Sequence, residues 1–227
     1  MISPLVNAVA IIVGSLIGIL LKKGMPKQIS DYVMKALGLC TLYIGIAGSL
    51  EGENTLLLIL SMVFGSMIGM WLDLDLKFNQ LASCLENRFK NKSDSKASIA
   101  EGFVAGSLLF CVGAMAVVGS LQSGLTGNHE MIFAKSILDF IASIIFASTL
   151  GIGVAFSAVL VLFYQGSIVL LANWLSPLLI DGVIAEMTSV GSLIIIALAL
   201  NILGITDFKV MNFVPAVFFP IFLWYFF

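Results

Sequence analysis

Residues 11–20 read IIVGSLIGIL, and a similar string returns as MVFGSMIGMW at 62–71 and, with more changes, as IIFASTLGIG at 144–153. Each copy carries two small residues four positions apart, which lie one turn apart on a helix and let another backbone approach closely. The copies indicate that the chain is built by internal repetition. The predicted helix-packing residues are Gly14, Ser15, Gly18, Gly65, Ser66, Gly69, Ala147, Ser148 and Gly151.

The composition places the chain in a bilayer. Of its 227 residues, 60% are hydrophobic and 11% are charged, and a soluble domain of this length needs more polar surface. The apolar runs are long enough to cross a hydrocarbon core of about 30 Å as helices. The sequence therefore predicts an all-α, polytopic membrane protein, with spans near 4–21, 34–50, 55–72, 99–121, 132–153, 184–204 and 210–227.

The helices after the small-residue motifs also repeat. Residues 99–119 and 184–204 align without a gap and share Ile-Ala-Glu, Gly-Ser-Leu and a final glycine, whereas 29–48 keeps the ending and an early acid. We expect a single membrane domain over 1–227. Its predicted repeat units are 4–50, 55–121 and 132–204, followed by the final helix 210–227.

The segment 155–175 decides the topology. The linkers near 25–37 and 78–89 alternate charged and apolar residues at helical spacing, which is typical of interfacial helices. Their counterpart at 163–175 has no charge. Gly166 and Ser167 favour a broken, embedded element and hence seven spans with parallel repeats. The alternative is eight spans, with 184–204 inverted relative to 99–119.

Positive charges predict the orientation. Nine of the 11 Lys and Arg residues follow the first and third predicted spans, and the positive-inside rule puts both segments in the cytoplasm. We expect the N-terminus outside a bacterial inner membrane. The net charge of −2 and the absence of a basic face argue against nucleic acid as a partner.

Cysteine and histidine usage predicts no cofactor and no metal site. Cys40, Cys84 and Cys111 have no CxxC spacing, and His129 has no histidine partner. The chain also has no HExxH motif, no pairing of serine with histidine and no nucleotide-binding loop. We therefore expect no enzymatic activity.

The motifs carry a family resemblance. The start MISPLVNAVAIIVGSLIGILLKKGMP, the GSMIG copy and the late IAEMTSVGSLIIIALALNILGI resemble the bacterial integral membrane family known as domain of unknown function 554, over essentially the whole chain. The resemblance implies a small inner-membrane protein of bacteria with no established biochemical activity. It supplies no catalytic or binding residues.

Polar residues inside apolar spans are the candidates for function, because they are costly unless partnered or useful. Glu101 and Glu186 occupy equivalent repeat positions and are predicted to converge on a cation or proton site near the inner leaflet. The alternative is that each carboxylate complements a helix N-terminus. Asp139 either serves a pathway or pairs with Lys135, four residues earlier. The candidate pathway residues are Glu101, Ser107, Asp139, Glu186, Ser192 and Asn201.

Two classes of function follow from these features. Internal repeats, broken helices and embedded acids recur in secondary transporters, which favours a transporter or channel for a small ion or solute, such as a cation or proton. The alternative is a membrane scaffold or regulatory partner without transport. Because little of the chain is soluble, we expect a homo-oligomer packed through small-residue faces within the lipid bilayer.

Overall fold

The computed structural model describes residues 1–22, 27–77, 80 and 99–226. Within these ranges the chain forms helices joined by short turns, with no strand. Cys84 and all of the predicted linker 78–89 except Gln80 lie outside the described residues. The helices are α1 (Ile2–Lys22), α2 (Lys27–Ser49), α3 (Thr55–Trp71), α4 (Ile99–Cys111), α5 (Ala114–Leu125), α6 (Glu130–Leu150), α7 (Gly153–Leu170), α8 (Ala172–Leu175), α9 (Asp181–Ile202), a 3₁₀ helix (Val210–Phe218) and α10 (Phe219–Leu223).

The predicted polytopic, all-α architecture is confirmed. In the described part of the chain, α1, α2, α6, α7 and α9 are each long and apolar enough to cross a membrane. The pair α4 and α5, bent by 59° at the break between them, meets the same criterion only when the two helices are taken together, as a broken span or a re-entrant loop, and α3 and Val210–Leu223 are shorter apolar segments. Every predicted span therefore coincides with an apolar helix or a pair of helices.

The ambiguous segment 155–175 begins as a spanning-type helix rather than a broken one. Helix α7 is continuous through Gly166 and Ser167, so the expected break does not occur there. Gly151 ends α6 with a φ of 79°, a conformation that glycine adopts without strain, and the chain reverses into α7. For this segment the structure has the arrangement of the eight-span alternative.

The irregularities lie elsewhere in the chain. The predicted span 99–121 is interrupted at Gly113, whose φ is 123°. The end of the chain is a 3₁₀ helix containing Pro215 and then the short α10, as expected where proline removes backbone donors. The predicted interfacial linker near 25–37 is instead largely the beginning of α2, which runs unbroken to Ser49.

The small-residue motifs bring helix backbones together. A β-carbon at Gly14 would overlap the Ser143 hydroxyl, and one at Gly18 would overlap the backbone of α6. Because Gly14 meets Ser143 and Gly18 meets Ala147, α1 and α6 run parallel. Glycines of α3 contact the 3₁₀ helix in the same close way, Gly65 at Ala216 and Gly69 at Asn212, in the antiparallel sense.

The second set of helices is inverted. Gly38 of α2 meets Leu203 of α9, whereas Gly52, just after α2, meets Ser189. The residue numbers run in opposite senses, so α2 and α9 are antiparallel. Helix α4 is also antiparallel to α9, because Glu101 shares a cavity with Asn201 at one end and Val112 contacts Gly191 farther along. The predicted parallel relation between 99–119 and 184–204 is therefore wrong in this structure.

These directions define two faces of the bundle. The N-terminal face carries Met1, the turn 51–54, the turn 126–129 and the start of α9. The opposite face carries the end of α3, the start of α4, the turn at Gly151 and residues 205–209. Both chain ends lie at the N-terminal face, because Trp224 packs on Gly182 near the start of α9.

Candidate functional site

A buried ion pair lies well inside α6. The Lys135 ammonium donates to both carboxylate oxygens of Asp139, at 2.8 and 2.7 Å. Both residues are only 6% exposed. Asp139 lies nine residues into α6, a depth of about 14 Å at 1.5 Å per residue. The pairing predicted from the four-residue spacing is present, and burial makes it costly to break, by about 3–5 kcal/mol when one partner is removed.

Two amides from other helices complete this group. The Asn7 side chain of α1 donates to Asp139 Oδ2 at 3.0 Å and to Gln165 Oε1 of α7 at 3.2 Å. Both amides are fully buried, yet Asn7 Oδ1 and Gln165 Nε2 have no hydrogen-bond partner in the part of the chain that the structure describes. Such buried polar atoms are costly and call for an explanation. Asn7, Lys135, Asp139 and Gln165 are called the Asp139 cluster below.

The repeat motif explains why these residues meet. The close approach at Gly14 and Gly18 holds α1 parallel to α6 over their second halves. Asn7 and Asp139 then face each other in the first halves of the same helices. The turn at Gly151 sends α7 back alongside, and Gln165 reaches the same level. Small residues at one end of the pair therefore position polar residues at the other.

A chain of polar groups connects the Asp139 cluster with the N-terminal face. Ser3 lies one turn before Asn7 on α1, and its hydroxyl is 2.6 Å from that of Ser123 on α5. Ser123 in turn lies 2.8 Å from His129 Nδ1 in the following turn. Both serines are buried, and His129 is partly exposed. On the opposite side of the cluster, the contact of Gly14 with Ser143 closes the gap between α1 and α6.

A cavity of about 440 Å³ lies at the opposite face. Half of its lining residues are apolar, and the charged and polar ones are Asp75, Glu101, Asn201, Thr206, Asp207 and Lys209. Asn201 also fixes the turn that forms the rim, because it donates to the Phe208 carbonyl and accepts from Thr206 and from the Phe208 backbone. Two of the predicted pathway residues, Glu101 and Asn201, therefore share one cavity.

Helix α4 joins this cavity to the Asp139 cluster. Glu101 lies at its start in the cavity, and Cys111 lies at its end, within electrostatic range of both Lys135 and Asp139. Ser107 lies between them, buried and with a hydroxyl that has no hydrogen-bond partner. Three of the predicted pathway residues, Glu101, Ser107 and Asp139, thus lie along or next to one helix.

Glu186 lies at the other end of the molecule. Its Oε1 accepts hydrogen bonds from the backbone nitrogens of Glu53 and Asn54, both at 2.8 Å, where α3 begins. Glu186 and Asn201 are separated by fifteen residues of α9, about 22 Å. Since Asn201 shares the cavity with Glu101, the structure does not bring Glu101 and Glu186 together. Helix inversion is the reason, because equivalent positions of antiparallel helices lie at opposite faces.

The remaining predicted residues have packing positions. Ser192 packs against Gly48 of α2, and Ser15 is buried with an unpartnered hydroxyl. The hydroxyls of Ser66 and Ser148 donate to backbone carbonyls three residues earlier in their own helices. Ala147 lies against Gly18, whereas Gly151 serves the turn after α6 rather than a helix contact.

Gln165 is absent from the residues predicted for function, and Asn7, although it counts among the polar candidates of the apolar spans, is absent from the predicted pathway set. Each is a polar side chain in an apolar run, which is the signal that identified the other candidates. Gln165 lies next to the predicted helix break at Gly166 and Ser167, and its partner is on another helix. Across the described ranges, no three His, Cys, Asp or Glu side chains are grouped so that they could hold a metal ion.

The long apolar helices and their buried polar contacts define a polytopic helical membrane protein. The chain belongs to the family described as "Protein of unknown function (DUF554)", whose model matches residues 2–225. This confirms the resemblance seen in the sequence motifs.

Two curated relatives are similar over nearly their full lengths. The uncharacterised membrane protein YdfK of Bacillus subtilis (strain 168) is 34% identical over 224 residues, which cover 97% of this chain and 94% of YdfK. The uncharacterised protein YqgA of Escherichia coli (strain K12) is 32% identical over 217 residues, which cover 95% and 92%. No solved structure matches the chain.

Proposed function

We propose that the protein moves a small cation or a proton across the bacterial inner membrane by way of the Asp139 cluster. The observation that carries the proposal is the buried Lys135–Asp139 pair, which meets two amides with unpartnered atoms at the contact of three helices. Ionisable residues inside a membrane bundle commonly mark ion pathways and proton relays.

Separate polar groups spaced between the two faces of the bundle support this role. From the opposite face, these groups run from the cavity at Glu101 past Ser107 to Asp139. They continue through Asn7, Ser3 and Ser123 to His129 at the N-terminal face.

The charge distribution supports the proposed orientation, with the N-terminus outside. Among the described residues, Lys35, Lys77 and Lys209 lie toward the opposite face, whereas Glu51 and Glu53 lie at the N-terminal face. Positive residues favour the cytoplasmic side of short loops. The cavity at Glu101 would then open to the cytoplasm, and His129 would lie at the outer side.

Flux measurements in liposomes test the proposal. Purified protein is reconstituted, and fluxes of protons, Li⁺, Na⁺ and K⁺ are followed with ion-sensitive dyes. We expect flux with the native chain, at least a tenfold loss with Asp139→Asn, and a smaller loss with Glu101→Gln. Glu186→Gln is the matched control, because Glu186 holds the start of α3 and lies outside the proposed route.

Each variant is first checked for a native elution profile, and flux is measured below the thermal unfolding midpoint determined for that variant. An absence of flux with the native protein, or equal flux with Asp139→Asn, would contradict the proposal. The alternative of a membrane scaffold or regulatory partner would then be favoured. The expected homo-oligomer can be measured in the same preparations by light scattering.

A further inference from the structure

The Asp139 cluster contains one negative and one positive side chain. The Lys135 ammonium lies against both carboxylate oxygens, so the ionised pair is neutral overall. In the apolar interior of a membrane protein, uncompensated charge is strongly unfavourable. Any charged species that enters the cluster must therefore be matched by a change in the charge of the pair.

The cluster also offers oxygen atoms to a cation. They come from the Asp139 carboxylate, from Gln165 Oε1 and, when the Asn7 amide rotates, from Asn7 Oδ1, which is buried and has no partner among the described residues. Carboxylate and amide oxygens are the ligands that hard cations prefer. The Lys135 ammonium already occupies the position beside the carboxylate that an incoming cation would take. A second cation beside that ammonium would leave the cluster with a net positive charge.

From this balance we infer that the Asp139 cluster exchanges one monovalent inorganic cation for the proton of the Lys135 ammonium. This inference rests on the transport function proposed above. When the cation binds Asp139, an N–H bond at Lys135 Nζ breaks, the electron pair stays on nitrogen, and the proton leaves to water. The cluster is neutral before and after the step. A divalent ion would leave a net positive charge, which favours a monovalent one.

Groups on the neighbouring helices leave this balance intact. Cys111 of α4 lies within electrostatic range of the pair, and Tyr164 of α7 lies within range of Cys111. A thiol and a phenol are neutral when protonated. From α1 the neighbour is the neutral amide of Asn7, and toward the N-terminal face His129 lies beyond Ser3 and Ser123. Asp139 is thus the negative charge that a cation meets within the cluster.

Proton release on cation binding tests the inference. Detergent-solubilised protein in weakly buffered solution with a pH indicator receives LiCl, NaCl or KCl, with N-methylglucamine chloride as the ionic-strength control. The native chain should release about one proton per bound cation with at least one of the three salts, since one ammonium is replaced by one ion. Flux is measured on the same preparation in liposomes.

Lys135→Arg separates exchange from a structural role. A guanidinium keeps its proton at any working pH and still pairs with Asp139. We expect this variant to remain folded and to lose at least nine-tenths of the proton release and of the flux. Lys135→Met should bind the cation without releasing a proton. Lys135→Met/Asp139→Asn is neutral, so it is the folded control that should not bind a cation.

The measurements give distinguishable failures. Proton release by Lys135→Arg at the native level would overturn the inference, as would native cation flux without proton release. If the native protein shows neither flux nor release, the proposed transport function itself fails, and the exchange falls with it.

Discussion

Helices α4 and α9 share the pattern Ile-Ala-Glu followed by Gly-Ser-Leu, yet they cross the bundle in opposite directions. Glu101 at the start of α4 lies in a cavity at one face, whereas Glu186 near the start of α9 caps another helix at the other face. The same sequence signal therefore marks two different environments. Equivalent repeat positions carry the same residue type. The number of times the chain has already crossed the membrane decides at which face that residue lies.

The extra crossing is α7. The linker between 78 and 89 carries charges, whereas its counterpart at 163–175 has none. An apolar helix of this length is more stable across the bilayer than along its surface. Because this linker is apolar and forms a helix, it adds one crossing. Helix α9, which follows it, therefore runs opposite to α4.

The largest expected effect concerns the direction of α9. Single cysteines at Asp181 and Asp207, on a background lacking Cys40, Cys84 and Cys111, should react with impermeant reagents from opposite sides. Asp181→Cys should label from the same side as Glu51→Cys, and Asp207→Cys from the same side as Lys77→Cys. If Asp181→Cys instead labels from the same side as Lys77→Cys, α9 is parallel to α4, and the two glutamates lie at the same face.

The two equivalent glutamates should differ in stability. Glu186→Ala removes the acceptor of two backbone N–H groups, and we expect it to lower the free energy of unfolding by about 2–4 kcal/mol. Glu101→Ala, at the rim of an open cavity, should cost less than about 1 kcal/mol. Equilibrium unfolding in mixed micelles measures both. Glu186→Gln, which keeps one acceptor oxygen, should lie between them, and equal costs for the two alanine variants would contradict the assignment.

The break between α4 and α5 distinguishes that span from α9. Gly113 has a φ of 123° and no atom within 4 Å of a β-carbon built on it, whereas the aligned residue of α9 is Leu198, inside a continuous helix. Gly113→Ala should therefore cost about 1–3 kcal/mol through backbone strain alone. The unfolding midpoint in detergent reports this cost. A neutral or stabilising result would mean that the span is straight, like α9.

The smallest expected effect concerns the aligned glycines at the ends of segments 99–119 and 184–204. Gly204 follows α9 with a φ of 72°, while Gly119 packs against Ile132 within α5. Gly204→Ala should cost about 1 kcal/mol, and Gly204→Asn should cost less, because asparagine tolerates the left-handed region. The same unfolding measurement ranks the two variants. Equal losses would show that the helix end is not held by this conformation.

The positions of the spans could be predicted from the sequence, because hydropathy is a local property. The close contacts of Gly14, Gly18, Gly65 and Gly69 could also be expected, because the four-residue spacing of small residues is a local pattern as well. The partners of polar residues could not. Gln165 looks like a helix interruption until Asn7 is placed beside it, and Glu186 looks like a pathway residue until the start of α3 is seen against it. Such contacts depend on which helices pack together and in which direction, and hydropathy does not encode either.

The pairing of early helices with late ones has a consequence for biosynthesis. Helix α1 packs on α6, α2 on α9, and α3 on the 3₁₀ helix near the end of the chain. A ribosome delivers the first three helices to the membrane well before their partners exist. The glycine-lined surfaces of α2 and α3 therefore reach the membrane before residues 181–218 are synthesised. A nascent chain that stops before residue 210 leaves Gly65 and Gly69 without the backbone they are shaped to receive.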